Sequence, residues 1–176
     1  MRELGKRIGF GLIGGAVGLV VMNAIRRGTK SLVKRREPQP MDVFATARSM
    51  SPFGVHHDVD ESATTALGRI AYQKLVGRQP SKEMKRALSW AVHIGYGLAV
   101  AAVYGAVRGE SRHVVRDGAL FGTALWLFGD EIAVPLLGLA DKPTAYHPTQ
   151  HLQSFAQHIG FGVGTAAATQ LLEEIR

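Results

Sequence analysis

Asp130 and Glu131 stand together inside an otherwise apolar stretch, residues 118–140. His147, His151 and His158 follow at helical steps in the next stretch, and His93 lies in an earlier one. Carboxylates and imidazoles of this kind do three sorts of chemistry. They can form a buried structural network. They can ligate zinc, iron or manganese, which accept imidazole and carboxylate donors. They can also carry protons, because burial draws both acids and histidines toward their neutral forms. An ionised group at the centre of a bilayer costs about 3 kcal/mol on insertion scales, so such residues are seldom placed there idly.

The spacing narrows these options. His147, His151, Ser154 and His158 share one helical face, which Gly162 and Thr165 continue. Asp130 and Glu131 are about 100° apart around a helix axis and cannot address one neighbour alike. The expected polar intramembrane cluster is His93, Asp130, Glu131, His151 and His158, and the metal-ligating subset is His93, Glu131, His151 and His158. A haem held by two of the histidines is a branch of the metal reading. The four apolar stretches hold no Glu-x-x-His pair of the di-iron type; the one such spacing, Glu110 to His113, falls in a polar connection. No phosphate loop, nucleophile elbow or HExxH motif is present, so the expectation is a non-enzymatic protein.

The elements that position these groups are four apolar stretches, at 8–25, 87–107, 118–140 and 149–172. Eighteen residues at 1.5 Å rise reach about 27 Å, enough to cross a bilayer. The 176 residues are 46% hydrophobic and 20% charged, and the charges concentrate between the apolar stretches. The 21 glycines fall mostly inside them, as in membrane helices whose backbones approach closely. The expectation is a single all-α membrane domain over residues 1–176, a four-span helical bundle with an interfacial or soluble segment at 26–86.

Residues 8–25 could also be a signal peptide, but Arg26 and Arg27 follow directly and no clear cleavage site is present. Gly11/Gly15 and Gly14/Gly18 form GxxxG pairs suited to close packing, and Gly97, Ala101 and Gly105 form a small-residue ridge. Arg26, Arg27, Lys30, Lys34, Arg35 and Arg36 are expected to touch lipid head groups. A short surface helix is expected at 41–50, then a solvated loop at 51–60. Asp60 or Ser62 caps a helix at 61–76 with an apolar stripe of Leu67, Ile70, Ala71 and Leu75. That helix is expected to lie on the membrane or over the bundle. Pro135 should kink the third span and free the carbonyl near Glu131.

Most of the 21 Lys and Arg fall between Arg26 and Arg86, which places this loop in the cytoplasm and both termini outside. The net charge of +7 lies beside apolar stretches, so anionic lipid is the expected partner and nucleic acid is not. With no Cys there is no disulfide, thiolate metal site or Cys nucleophile.

Three segments carry a family resemblance: PQPMDVFATA (38–47), WAVHIGYGLAVAAVYG (90–105) and PLLGLADKP (135–143). Together with the polar fourth stretch around His158, they resemble the YagU-like family of bacterial inner-membrane proteins. The resemblance implies a multi-pass protein of the bacterial plasma membrane, with a link to acid resistance in one enteric member. It carries over no catalytic residue. The functional expectation is a protein of proton or acid-stress handling. The alternative is a metal- or haem-binding, or purely structural, accessory subunit of a larger membrane complex, with the Gly-rich faces serving oligomerisation.

Overall fold

The computed structural model describes residues 2–33, 49–109 and 113–175. All regular structure among them is helical. Helix α1 is Arg2–Thr29, followed by a single 3-10 turn at Lys30–Leu32. Helix α2 is Ala63–Val76, α3 is Lys82–Val107 and α4 is Val114–Ala124. The last runs into a π-helical stretch, Leu125–Ala133, and a final turn, Val134–Leu136. Helix α5 is Pro148–Glu174. The helix expected at 41–50 lies outside the described residues, apart from its last two positions.

Three helical stretches are long and apolar enough to cross a membrane: Glu3–Leu32, Lys82–Val107 and Val114–Leu136. The fourth expected span forms as a 27-residue helix, α5, but is not among them. Its first half carries Gln150, His151, Gln153, Ser154, Gln157 and His158. A helix this polar fits where neighbours cover it. Gly160, Phe161, Gly162, Thr165, Ala166 and Thr169 of α5 are buried.

By its internal contacts the chain forms two compact units. The first comprises Met1–Lys34, Tyr96–Leu127 and Pro148–Arg176; the second comprises Arg35–Gly95 and Phe128–His147. In the first unit α5 packs on both α1 and α4. The two glycine pairs of α1 face different partners. A side-chain carbon at Gly11 or Gly15 would run into Ala101 of α3, whereas one at Gly14 or Gly18 would run into Thr165 of α5. The ridge of Gly97, Ala101 and Gly105 is thus the surface on which α1 rests. Gly118 and Gly122 of α4 meet the backbone of α5 at Gly162 and His158 in the same way. Small residues give each backbone room to approach, and dispersion then acts over the whole contact. Leu19, Met22, Ala101 and Phe161 form the buried apolar centre, with Phe121 stacked on Tyr104 at 4.6 Å. At the end of α3, Arg108 donates to Gln170 Oε1 at 2.6 Å and lies 3.7 Å from the Glu173 carboxylate.

The second unit is built around α2 and the loop before it. Ser62 caps α2 by accepting from the Thr65 amide, and Gly77 ends it in the left-handed region at φ 76°. Gly68 lets Leu88 of α3 close on the helix, and the Thr64 and Thr65 hydroxyls meet Ser89 Oγ at 2.8 and 3.0 Å. The third apolar stretch ends earlier than expected, because Gly138 at φ 69° turns the chain after Leu136. Its amide donates to Pro135 O at 3.0 Å.

Candidate functional site

The acidic pair sits in the π-helical stretch, which ends two residues before Pro135. Proline offers no N–H to the carbonyl four residues back, at Glu131, so the α ladder cannot continue. The helix is already in the wide i→i−5 register over Leu125–Ala133, ahead of the proline. Beyond the proline the helix closes in a Schellman turn, with the Leu139 amide donating to Val134 O at 3.1 Å around Gly138 at φ 69°. Nine residues of π-helix thus precede the expected kink. Such segments concentrate at functional sites in other proteins.

Asp130 is exposed on the surface of the chain, and Glu131 is half-buried. The pair lies six residues or fewer from the end of the Val114–Leu136 stretch, not near its middle. The expectation of a buried acidic cluster is corrected accordingly for Asp130. His93 belongs to the same unit as the acids and is half-buried, with its ring edge-on to Trp90 at 6.2 Å. His151 and His158 belong to the first unit, where both are half-buried. His158 Nδ1 donates to Ser154 O one turn back, at 2.8 Å. That bond is internal to the helix and fixes the ring against its own backbone. Among the described residues no three His, Asp or Glu side chains are grouped to hold a metal ion. The metal set of His93, Glu131, His151 and His158 therefore gains no support.

Of the expected head-group cations, Arg26, Arg27 and Lys30 are exposed at the end of the first helix and its 3-10 turn. Lys34, Arg35 and Arg36 lie outside the described residues.

A further polar site, around Arg69, was not expected. Arg69 of α2 is 8% exposed and reaches back into the loop before the helix. Its Nε and Nη2 donate to both Glu61 carboxylate oxygens, at 3.0 and 2.7 Å. Nη2 also donates to His56 O at 2.8 Å, and Nη1 donates to Gln73 Oε1 at 3.2 Å. Asp58 Oδ2 completes the ring 3.5 Å from both Arg69 Nε and Lys85 Nζ. Burial by itself would raise the Glu61 carboxyl, but the Arg69 hydrogen bond, the Asp58 amide and the charges of Arg69 and Lys85 hold it below the usual range. Hydrogen bonding to Glu61 correspondingly raises Arg69, against burial. The Glu61–Arg69 spacing of eight residues is the one sequence signal that could have revealed this pair.

The same loop is tied to the turn after the third apolar stretch. The His56 amide donates to Gly138 O at 2.8 Å, and a side chain on Gly138 would strike Gly54 O. His57 Nδ1 donates to Asp58 O at 3.1 Å, while its buried Nε2 faces Asp141 Oδ1 at 3.6 Å without a hydrogen bond. A proton on Nε2 would make this contact an ion pair. An open cleft of about 410 Å³ runs past His56, His57, Asp58, Arg69 and Lys74. Both signs of charge line it, so it selects neither anions nor cations. The loop is exposed, as expected of a solvated loop, over 52–56 and 58–60, and its backbone is braced on Gly138.

No known protein family, curated protein or solved structure matches this chain.

Proposed function

We propose that this is a non-enzymatic, multi-pass membrane protein of the bacterial plasma membrane that handles protons through Asp130 and Glu131. The observation that carries the reading is the acidic pair on a π-helical stretch within an apolar, span-length helix. Acids in a span are costly and mark ion and proton paths by default. A π-turn adds a loosened backbone ladder at the same place. In this reading α5 is the fourth span. Its polar face is tolerated because α1 and α4 flank it. The cations after α1 contact anionic lipid. The reading agrees with what the resemblance to the YagU-like family implies.

Proteoliposomes carrying an internal pH dye test it. The wild-type protein should dissipate an imposed pH gradient, and Asp130→Asn or Glu131→Gln should abolish most of that flux. Flux unaltered by both substitutions would overturn the proposal.

The exposure of Asp130 favours a second reading, an accessory subunit or homo-oligomer in which another chain covers this surface. A protein–detergent mass above that of one chain, reduced to one chain by Asp130→Leu, would support that assembly.

A further inference from the structure

Helix α2 is inside out for a helix in water. It buries Ala66, Gly68 and Arg69, and it exposes Leu67, Ala71 and Leu75. These three recur every four residues and share one face. Leu75 is 86% exposed and Val76 beside it is 48% exposed. Arg69 is turned inward onto Glu61, while Lys74 is exposed beside the outward apolar stripe.

The depth of α2 is set by what it touches. Gly68 meets Leu88, and Thr64 and Thr65 meet Ser89, in the second turn of α3. Lys82, Lys85 and Arg86 precede this contact, and Trp90 follows it at 46% exposure. Cations followed by an interfacial Trp is the order in which a span passes from head groups into acyl chains. From Ile70 to Gly95 the charged residues are Lys74, Arg78, Lys82, Lys85 and Arg86 against a single acid, Glu83. All but Lys85 of these cations are exposed.

We infer that α2 is seated in the head-group boundary of an acidic phospholipid leaflet. Leu67, Ala71 and Leu75 enter the acyl region, and Lys74, Arg78, Lys82 and Arg86 meet the phosphates. Amphipathic helices bind this way through apolar burial joined to attraction for anionic lipid. The inference rests on the membrane reading above, and it adds a second, lateral contact with the bilayer that no span supplies.

The absence of cysteine allows a direct test on the full chain. Leu67→Cys, Leu75→Cys, Arg78→Cys and, as a control, Val103→Cys on the exposed side of α3 are each labelled with a nitroxide. Each protein is reconstituted in vesicles of phosphatidylcholine and phosphatidylglycerol. All four sites are exposed, so the label disturbs no packed neighbour. Collision with oxygen reports acyl chains, and collision with a water-soluble nickel chelate reports solvent. The labels at 67, 75 and 103 should favour oxygen, and the label at 78 should favour nickel. A nickel-accessible label at 75 beside an oxygen-accessible one at 103 would overturn the seating and leave the span intact. Protection from both reagents at 67 and 75 would mean a protein covers the face, which also overturns it. A nickel-accessible label at 103 would overturn the membrane reading and the seating together. In vesicles of phosphatidylcholine alone the oxygen preference at 75 should fall; an unchanged value would remove the acidic-lipid requirement.

Discussion

The two units are held together by opposite means. In the first, α1, α3, α4 and α5 meet through missing side chains. Gly11, Gly14, Gly15, Gly18, Gly118, Gly122 and Gly162 let backbone meet backbone, and few charges take part. In the second, a charged side chain does the holding. Arg69 gathers Glu61, Asp58, Gln73 and a backbone carbonyl into one network around a loop. Lipid offers no hydrophobic drive for helix to meet helix, so shape must suffice there. A loop beside water or head groups needs directional bonds for its backbone, because it has no helix ladder to use. The contrast teaches where each kind of mutation should be harmful.

The largest effect is expected in the second unit. Arg69→Met strips Glu61 of its main partner and leaves it only the Asp58 amide and the Lys85 charge, which costs about 3–5 kcal/mol. Amide exchange should show residues 54–76 opening, while the first unit keeps its protection. Adding Glu61→Gln to Arg69→Met should recover most of the loss, because the stranded charge is gone. If the double variant is as damaged as the single one, charge is not what organises this loop.

Gly162→Leu tests the first unit. Its new side chain would strike Gly118 O and crowd the Gly122 amide at 2.7 Å, and neither backbone group can step aside. Overpacking of this kind costs about 3 kcal/mol. Detergent-driven unfolding followed by circular dichroism should show a lowered midpoint. Gly95→Leu, at a glycine with nothing within 4 Å, should leave the midpoint unmoved. Leucine favours a helix more than glycine does, so equal damage from both would mean that close approach is not what Gly162 provides.

The smallest effect should come from Gly138→Ala. Its φ of 69° costs an L-residue about 1–2 kcal/mol, and the contact with Gly54 O adds to it. Gly54→Ala has the same sign of φ, at 92°, but meets nothing within 4 Å. Thermal melts should therefore rank Gly138→Ala below Gly54→Ala. The reverse order would show that the loop is not seated on this turn.

Much of the helical framework was legible from residues close in the chain. Apolar runs marked the helices, Pro135 marked a break, Ser62 marked a cap, and the GxxxG pairs marked contact surfaces. What was missed depended on partners distant in sequence. Spacing puts Leu67, Ile70, Ala71 and Leu75 in one stripe; in the structure Leu67, Ala71 and Leu75 are exposed and Ile70 is half-buried, because the side of α2 that packs inward is decided by Arg69 finding Glu61. The loop at 51–60 is exposed, as a solvated loop should be, but nothing local shows that His56 will bond to Gly138. The candidate cluster fared unevenly for the same reason. Helical spacing aligns His151 with His158, yet it says nothing of how His158 is fixed or how exposed Asp130 is.

The sequence alone determined that the chain is helical, which stretches are long and apolar, and where glycine permits close approach. Hydropathy and helical period are properties of neighbouring residues, so they can be read along one strand of text. Tertiary structure alone decided that the two glycine faces of α1 serve different partners. It decided also that polar α5 is flanked by α1 and α4, and that an arginine is braced inside a loop. Those outcomes depend on which backbone arrives at which surface, and burial, charge pairing and fit are settled only when it does.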